Sequence, residues 1–187
     1  MANLVKIERV KTYLDIANTD TAADVLLQDL ISRISAWVEH YCDRTFAKAT
    51  HTEPYDGDGT DTLVVRQWPI ISVAGLYDDP DRVFGASTQI AAADFVLYKN
   101  TGIIRLDGLV FSAGIQNVNV TYDAGYTDIP DDLQQAVVEL VADRFRNKEN
   151  QGVRSLAIGS YRVDYGDEEL PSEIKGVLEG YRRTRVS

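Results

Sequence analysis

The sequence predicts an α+β protein: a small helical bundle that carries an inserted antiparallel β module and a late β-hairpin. Three observations predict it. Apolar residues recur three and four apart near both ends of the chain, before residue 44 and again after residue 129. Between them, over 50–127, the period drops to two and turn residues become frequent. The 187 residues suffice for one full hydrophobic core, because a chain of this length buries about 70% of its unfolded surface. The predicted organisation is a single domain, with N-terminal helices over 1–49, the β module over 50–127, and a long helix, hairpin, short helix and tail over 128–187.

Residues 6–15 read as a short helix, with Ile7, Val10 and Leu14 on one side. Asn18, Thr19, Asp20 and Thr21 offer N-cap oxygens to a second helix that runs to about Asp43. Leu26, Leu30, Ile34, Trp37 and Tyr41 form its apolar stripe, widened by Leu27, Ile31 and Val38, which predicts packing on two sides. Asp56, Gly57, Asp58, Gly59, Thr60 and Asp61 then read as a hairpin loop between two extended runs. Leu63–Val65 and Ile70–Val73 read as strands interrupted by Trp68 and Pro69, a bend or edge position because proline lacks a ladder donor. Residues 78–93 have no period and read as an excursion loop. Phe95–Tyr98 and Ile103–Leu106 flank a second hairpin turn. Val118, Val120 and Tyr122 alternate with Asn117, Asn119 and Thr121, which predicts a strand with its asparagines facing water.

Ile129 and Pro130 open a strong helix, with Asp131 and Asp132 where the helix dipole favours negative charge. Its stripe is Leu133, Val137, Leu140, Val141 and Phe145, and Asn150, Gln151 and Gly152 end it. Tyr161, Val163 and Tyr165 alternate within a predicted hairpin over 151–169. Pro171 opens a last helix with Ile174, Val177, Leu178 and Tyr181 inward, followed by a basic tail from Arg182.

Hydrophobic residues make up 44% and charged residues 26% of the chain, the balance of a soluble globular protein. The net charge is −10, and it is uneven. Residues 50–127 carry 4 basic and 10 acidic groups, against 6 and 7 before them and 9 and 12 after them. The basic footprint of a nucleic-acid binder is missing; the acidic charge serves solubility, and it would also suit a surface that lets DNA pass without holding it. No apolar run is long enough to span a membrane. The N-terminal residues lack the apolar stretch of a signal peptide, and one cysteine, Cys42, allows no internal disulfide. These features predict assembly in a reducing cytoplasm.

No constellation of catalytic residues emerges. Counted as a calcium loop from Asp56, position six is Asp61 where glycine is needed and position twelve is Gln67 where a glutamate is needed. Asp78, Asp79 and Asp81, or Asp167, Glu168 and Glu169, could supply paired carboxylates, but they stand in loop contexts that favour solvation. His40 and Cys42 fall on different faces of a helix. Two histidines and one cysteine do not make a zinc site, and no glycine-rich phosphate loop is present. The chain is therefore read as a non-enzyme without metal or cofactor. Tyr161, Tyr165 and Tyr181 lie near arginines late in the chain, a composition found at the anchors of protein interfaces.

Four segments in this order resemble the head-to-tail connector (adaptor) proteins of long-tailed phages. They are Trp37 to Arg44 with Phe46; Tyr55 to Gly59 with Leu63 and Trp68, Pro69, Ile70; Val120 to Tyr126 leading through Ile129 and Pro130 into Leu133, Gln135, Ala136 and Leu140; and Tyr161 to Gly166 followed by Leu170, Pro171, Ile174, Leu178 and Tyr181 to Arg183. The resemblance implies a structural subunit of the virion neck that self-associates into a ring, typically dodecameric, on the portal protein. It implies that the ring prolongs the DNA channel and offers a platform to the next connector, stopper or tail protein. Arg182, Arg183 and Arg185 would then contact the portal, and Tyr161, Arg162 and Tyr165 a neighbouring subunit. Two other roles compatible with the sequence are a tail-completion protein that binds the tail end and a virion-associated hydrolase.

Overall fold

The computed structural model describes residues 2–147, 155–158, 161–164 and 170–183. It shows an α+β fold divided into two compact units, one formed by 1–43 with 129–187 and the other by 44–128. Among the described residues no helix is long and apolar enough to cross a membrane.

The first unit contains α1 (Ile7–Tyr13), α2 (Asp24–Cys42), α3 (Asp131–Arg146) and α4 (Ser172–Tyr181), with a hairpin whose strands are Ser155–Ile158 and Tyr161–Asp164. α3 packs against the other three helices. It buries Leu133, Ala136, Val137, Val138 and Val141, and α4 contributes Ile174 and Leu178. Each such side chain contributes about 1.5–3 kcal/mol on leaving water.

The α2 stripe is rotated from the expected one. Leu27, Leu30, Ile31, Val38 and Cys42 are buried, whereas Leu26 and Trp37 remain 37% and 41% exposed. The helix is also not capped by Asn18–Thr21. Its N-cap is Ala23, and the preceding loop is fastened from α1 instead. There the buried Lys11 Nζ donates to the Asp20 carbonyl at 2.7 Å and pairs with the Asp24 carboxylate. At the other end Asp43 adopts the left-handed conformation (φ 53°) that closes many helices.

The second unit holds two antiparallel sheets. In the first, β1 (Ala49–Gly57), β6 (Gly114–Ala124) and β3 (Ile70–Asp78) lie in the order β1-β6-β3. In the second, β2 (Thr62–Val64), β5 (Ile103–Leu106) and β4 (Phe95–Tyr98) lie in the order β2-β5-β4. The loop at 58–61 therefore joins two sheets and is not a hairpin turn, because β1 takes its partner from β6. The second expected hairpin is present, with Phe95 opposite Leu106 and Tyr98 opposite Ile103. Leu63, Leu76, Ile104, Leu106, Val118, Val120 and Tyr122 from the two sheets share one core. Residues 79–94 form the excursion expected of them, with two short 3-10 turns.

Asn117 departs from the alternation. It is 2% exposed, while Val118, Val120 and Tyr122 are also buried. Its neighbour Gln116 has φ +51° and lies where β1 and β6 slip register between Tyr55 and Gly57. A break of this kind changes which face a side chain takes.

Candidate assembly interface

The C-terminal arginines are positioned by the end of α2. A helix leaves its last carbonyls without internal partners and carries partial negative charge there. The Cys42 carbonyl is met by the Arg183 N–H at 2.9 Å, and the Arg183 guanidinium lies 3.9 Å from the Asp43 carboxylate. Beneath it the Cys42 thiol, fully buried, points at the Leu178 carbonyl at 3.6 Å.

Beside this anchor the side chains form an exposed aromatic and charged ladder. The Trp37 and Tyr41 rings stack with centroids 5.4 Å apart, as expected for large side chains four apart on a helix. The Arg182 guanidinium lies over the Tyr41 ring, 5.5 Å from its centroid. The Tyr41 hydroxyl donates to Glu179 Oε1 at 2.7 Å, and Arg182 Nη1 donates to the same oxygen at 3.3 Å. This hydrogen bond, followed by burial, raises the Tyr41 pKa. The hydrogen bond from Tyr41, outweighing burial and aided by Arg182, lowers that of Glu179. Tyr181, expected inward, is half-buried and donates to the Asp132 carboxylate at 2.8 Å, which fastens α4 to the start of α3.

Of the expected interface residues, the structure brings Arg182 and Arg183 together at this end. Tyr161 and Arg162 begin the last strand, and only their backbone is described; Tyr165 and Arg185 lie outside the described residues. Trp37, Tyr41 and Glu179 join Arg182 and Arg183 there, although the periodicity places the first two in the buried stripe. The available signal was that stripe's excess width, more apolar face than one neighbour covers.

Other residues of the resemblance meet in the second unit. Arg44, 4% exposed, places its guanidinium 3.9 Å from the Trp68 ring centroid, 4.9 Å from Phe46 and 5.7 Å from Tyr126. It also donates to the Trp68 carbonyl. Around this cage Tyr126 N–H donates to the Phe46 carbonyl at 2.7 Å and Gly125 N–H to the Pro69 carbonyl at 3.0 Å. Gly125 has φ +103°, and a Cβ there would meet the Ala47 carbonyl oxygen at 2.7 Å, so only glycine fits. These motifs therefore hold the fold.

The candidate carboxylates are likewise engaged. Asp79, 5% exposed, accepts N–H groups of Asp81, Val83 and Phe84 at 2.8–3.1 Å. Burial alone would raise its pKa, but these donors outweigh it and hold the carboxyl low. Asp78 accepts from Ser112 N–H at 2.7 Å and from Asn117 Nδ2 at 3.0 Å. Asp58 receives both donors of Thr60, and Asp61 pairs with Arg105 at 2.8 Å. A general acid needs the opposite environment, one that keeps a carboxyl protonated. Asp167, Glu168 and Glu169 lie outside the described residues. A further polar cluster is partly buried: Tyr55 and Tyr122 both donate to Glu53 and accept the N–H groups of Arg66 and Gln67. Among the described residues no group of three or more histidine, cysteine, aspartate or glutamate side chains could hold a metal ion.

Comparison with known proteins gives consistent results. A protein from the neck of an empty gene transfer agent particle, computed with C6 symmetry, is similar in fold with a TM-score of 0.63 at 18% identity, over 100% of this chain and 95% of that one. A protein from the native gene transfer agent virion gives 0.62 at 18% identity over 98% and 92%. One from the native neck computed with C12 symmetry gives 0.56 at 20% identity over 88% and 90%. No curated protein matches the sequence. The head completion protein family matches residues 3–184, nearly the whole length, and the chain belongs to that family.

Proposed function

We propose that the chain is a structural, non-enzymatic head-to-tail connector subunit of the virion neck, one that forms a ring on the portal protein and extends the DNA channel toward the tail. The observation that carries this reading is the family match over residues 3–184. Likeness to neck proteins from particles computed with C6 symmetry, over the whole chain, and with C12 symmetry, over 88% of it, supports the ring. The net charge of −10 suits a channel that must not hold DNA. On this reading 1–187 works as one connector domain, and the end of α2 with the tail beyond it docks on the portal. Trp37, Tyr41 and Arg182 have the composition of interface anchors, and Arg182, Arg183 and Arg185 would pair with portal carboxylates. Tyr161, Arg162 and Tyr165 would meet a neighbouring subunit.

The test is to mix the purified chain with its cognate portal ring and image the mixture by electron microscopy. An added ring of density on the portal is expected. It should be lost in an Arg182→Glu/Arg183→Glu/Arg185→Glu variant that keeps the wild-type circular dichroism spectrum. Intact portal without added density would overturn the reading and favour a tail-completion role.

A further inference from the structure

A connector holds more than one partner, and the end of α2 is one candidate surface. The second unit presents another, of different chemistry. Three of its loops, 56–61, 78–85 and 107–116, converge on the Asn117 side chain. Its Oδ1 accepts the Gly57 N–H at 2.9 Å, its Nδ2 donates to Asp78 and to the Ser112 carbonyl, and its own carbonyl accepts the Asp79 N–H at 2.7 Å. The Gln116 N–H adds a bond to Asp56 at 2.7 Å, and the Phe111 N–H one to the Thr60 carbonyl at 2.8 Å. The loops are thus fixed before any partner arrives, which lowers the ordering cost of binding.

On this frame stand four apolar side chains that a solvated loop end does not need. Val83 is 78% exposed, Ile115 75%, Val110 63% and Leu109 49%. The same three loops contain seven aspartates and one basic residue, Arg82. An apolar surface with an acidic surround fits a protein that offers an apolar hollow rimmed by lysine and arginine, and it repels nucleic acid.

We propose that the three-loop end of the second unit is the docking surface for the neck component that follows this chain toward the tail, through Val83, Leu109, Val110 and Ile115 with Asp81 and Asp107 at the rim. The assignment of this side rests on the connector reading above, in which the basic end of the chain meets the portal. The two surfaces differ in chemistry, arginines with aromatic rings at one and apolar side chains among aspartates at the other, and so suit different partners.

The experiment uses the full chain and the purified protein that follows it in the particle, with binding read by calorimetry in parallel with portal imaging. Two variants carry exposed substitutions only, Val83→Ser/Ile115→Ser and Asp81→Lys/Asp107→Lys. Each should weaken binding of the tail-side protein at least tenfold, keep the wild-type melting temperature and still add a ring to the portal. Wild-type affinity should also fall as salt rises. Unchanged affinity in both variants, no binding by the wild type, or a loss confined to self-assembly of the chain would overturn the assignment. Loss of portal binding by the wild type would instead count against the connector reading and leave the tail-side measurement to stand or fall by itself.

Discussion

Replacing Asn117 with alanine tests whether one side chain secures the loop end of the second unit. The substitution removes three hydrogen bonds: from the Gly57 N–H, to the Ser112 carbonyl and to the Asp78 carboxylate. The two neutral bonds contribute about 1 kcal/mol each and the charge-assisted one about 1.5–3 kcal/mol. Water can reach the exposed loop end and recover part of this, so the expected loss is about 2–4 kcal/mol. The assay is urea unfolding followed by tryptophan fluorescence in a Trp37→Phe background, where Trp68 alone reports on the second unit. Asn119→Ala, two residues along the same strand and half-buried, should cost less than about 1 kcal/mol. The Asp79 and Ser112 amides should also exchange faster with solvent in the Asn117 variant. A loss below about 1 kcal/mol with unchanged exchange would refute the reasoning, because the loops would then be held by something else.

Gly125→Ala should destabilise the second unit by more than about 2 kcal/mol, since the new Cβ meets two carbonyls on a backbone already at positive φ; thermal melting measures it. For pH, burial first and the hydrogen bond to Glu53 second push the Tyr55 pKa up to about 12, and burial also raises that of Tyr122. A raised folded-state pKa gives stability that is complete below the unfolded value, about 10 for tyrosine, and is lost as pH rises through the folded one. The melting temperature should therefore fall steeply between about pH 10 and about 12, and Tyr55→Phe should make that fall shallower in a calorimetric pH series.

Much of the fold was legible because it is written in local patterns. The steps of three and four in 7–14 and 133–145 are read directly as helix faces, and the β4–β5 turn sits between its own two strands. What the sequence hid depends on partners far away along the chain. The Asp56–Asp61 loop looks like a hairpin turn, yet Tyr55 pairs with Val118, a residue no local signal points to. Asn117 reads as a solvent-facing asparagine until the register slip beside it turns it inward. The α2 face could not be centred correctly because α4 and α3 decide which side of the helix is covered. Arg182 and Arg183 are expected at the portal from the resemblance alone; that they lie on Tyr41 and Cys42, each 141 residues away, is not legible, because such pairings leave no periodic trace.

The chain enters and leaves the second unit side by side. Residues 46–48 run parallel to Tyr126, with the Tyr126 N–H on the Phe46 carbonyl and the Lys48 N–H on the Tyr126 carbonyl. A mechanical load travelling along the backbone from residue 43 to residue 129 would therefore pull the two segments past one another along their axes, and both hydrogen bonds would resist together. The clasp would meet such a load first, ahead of the β1–β6 ladder that begins beside it at Ala49 and Ala124.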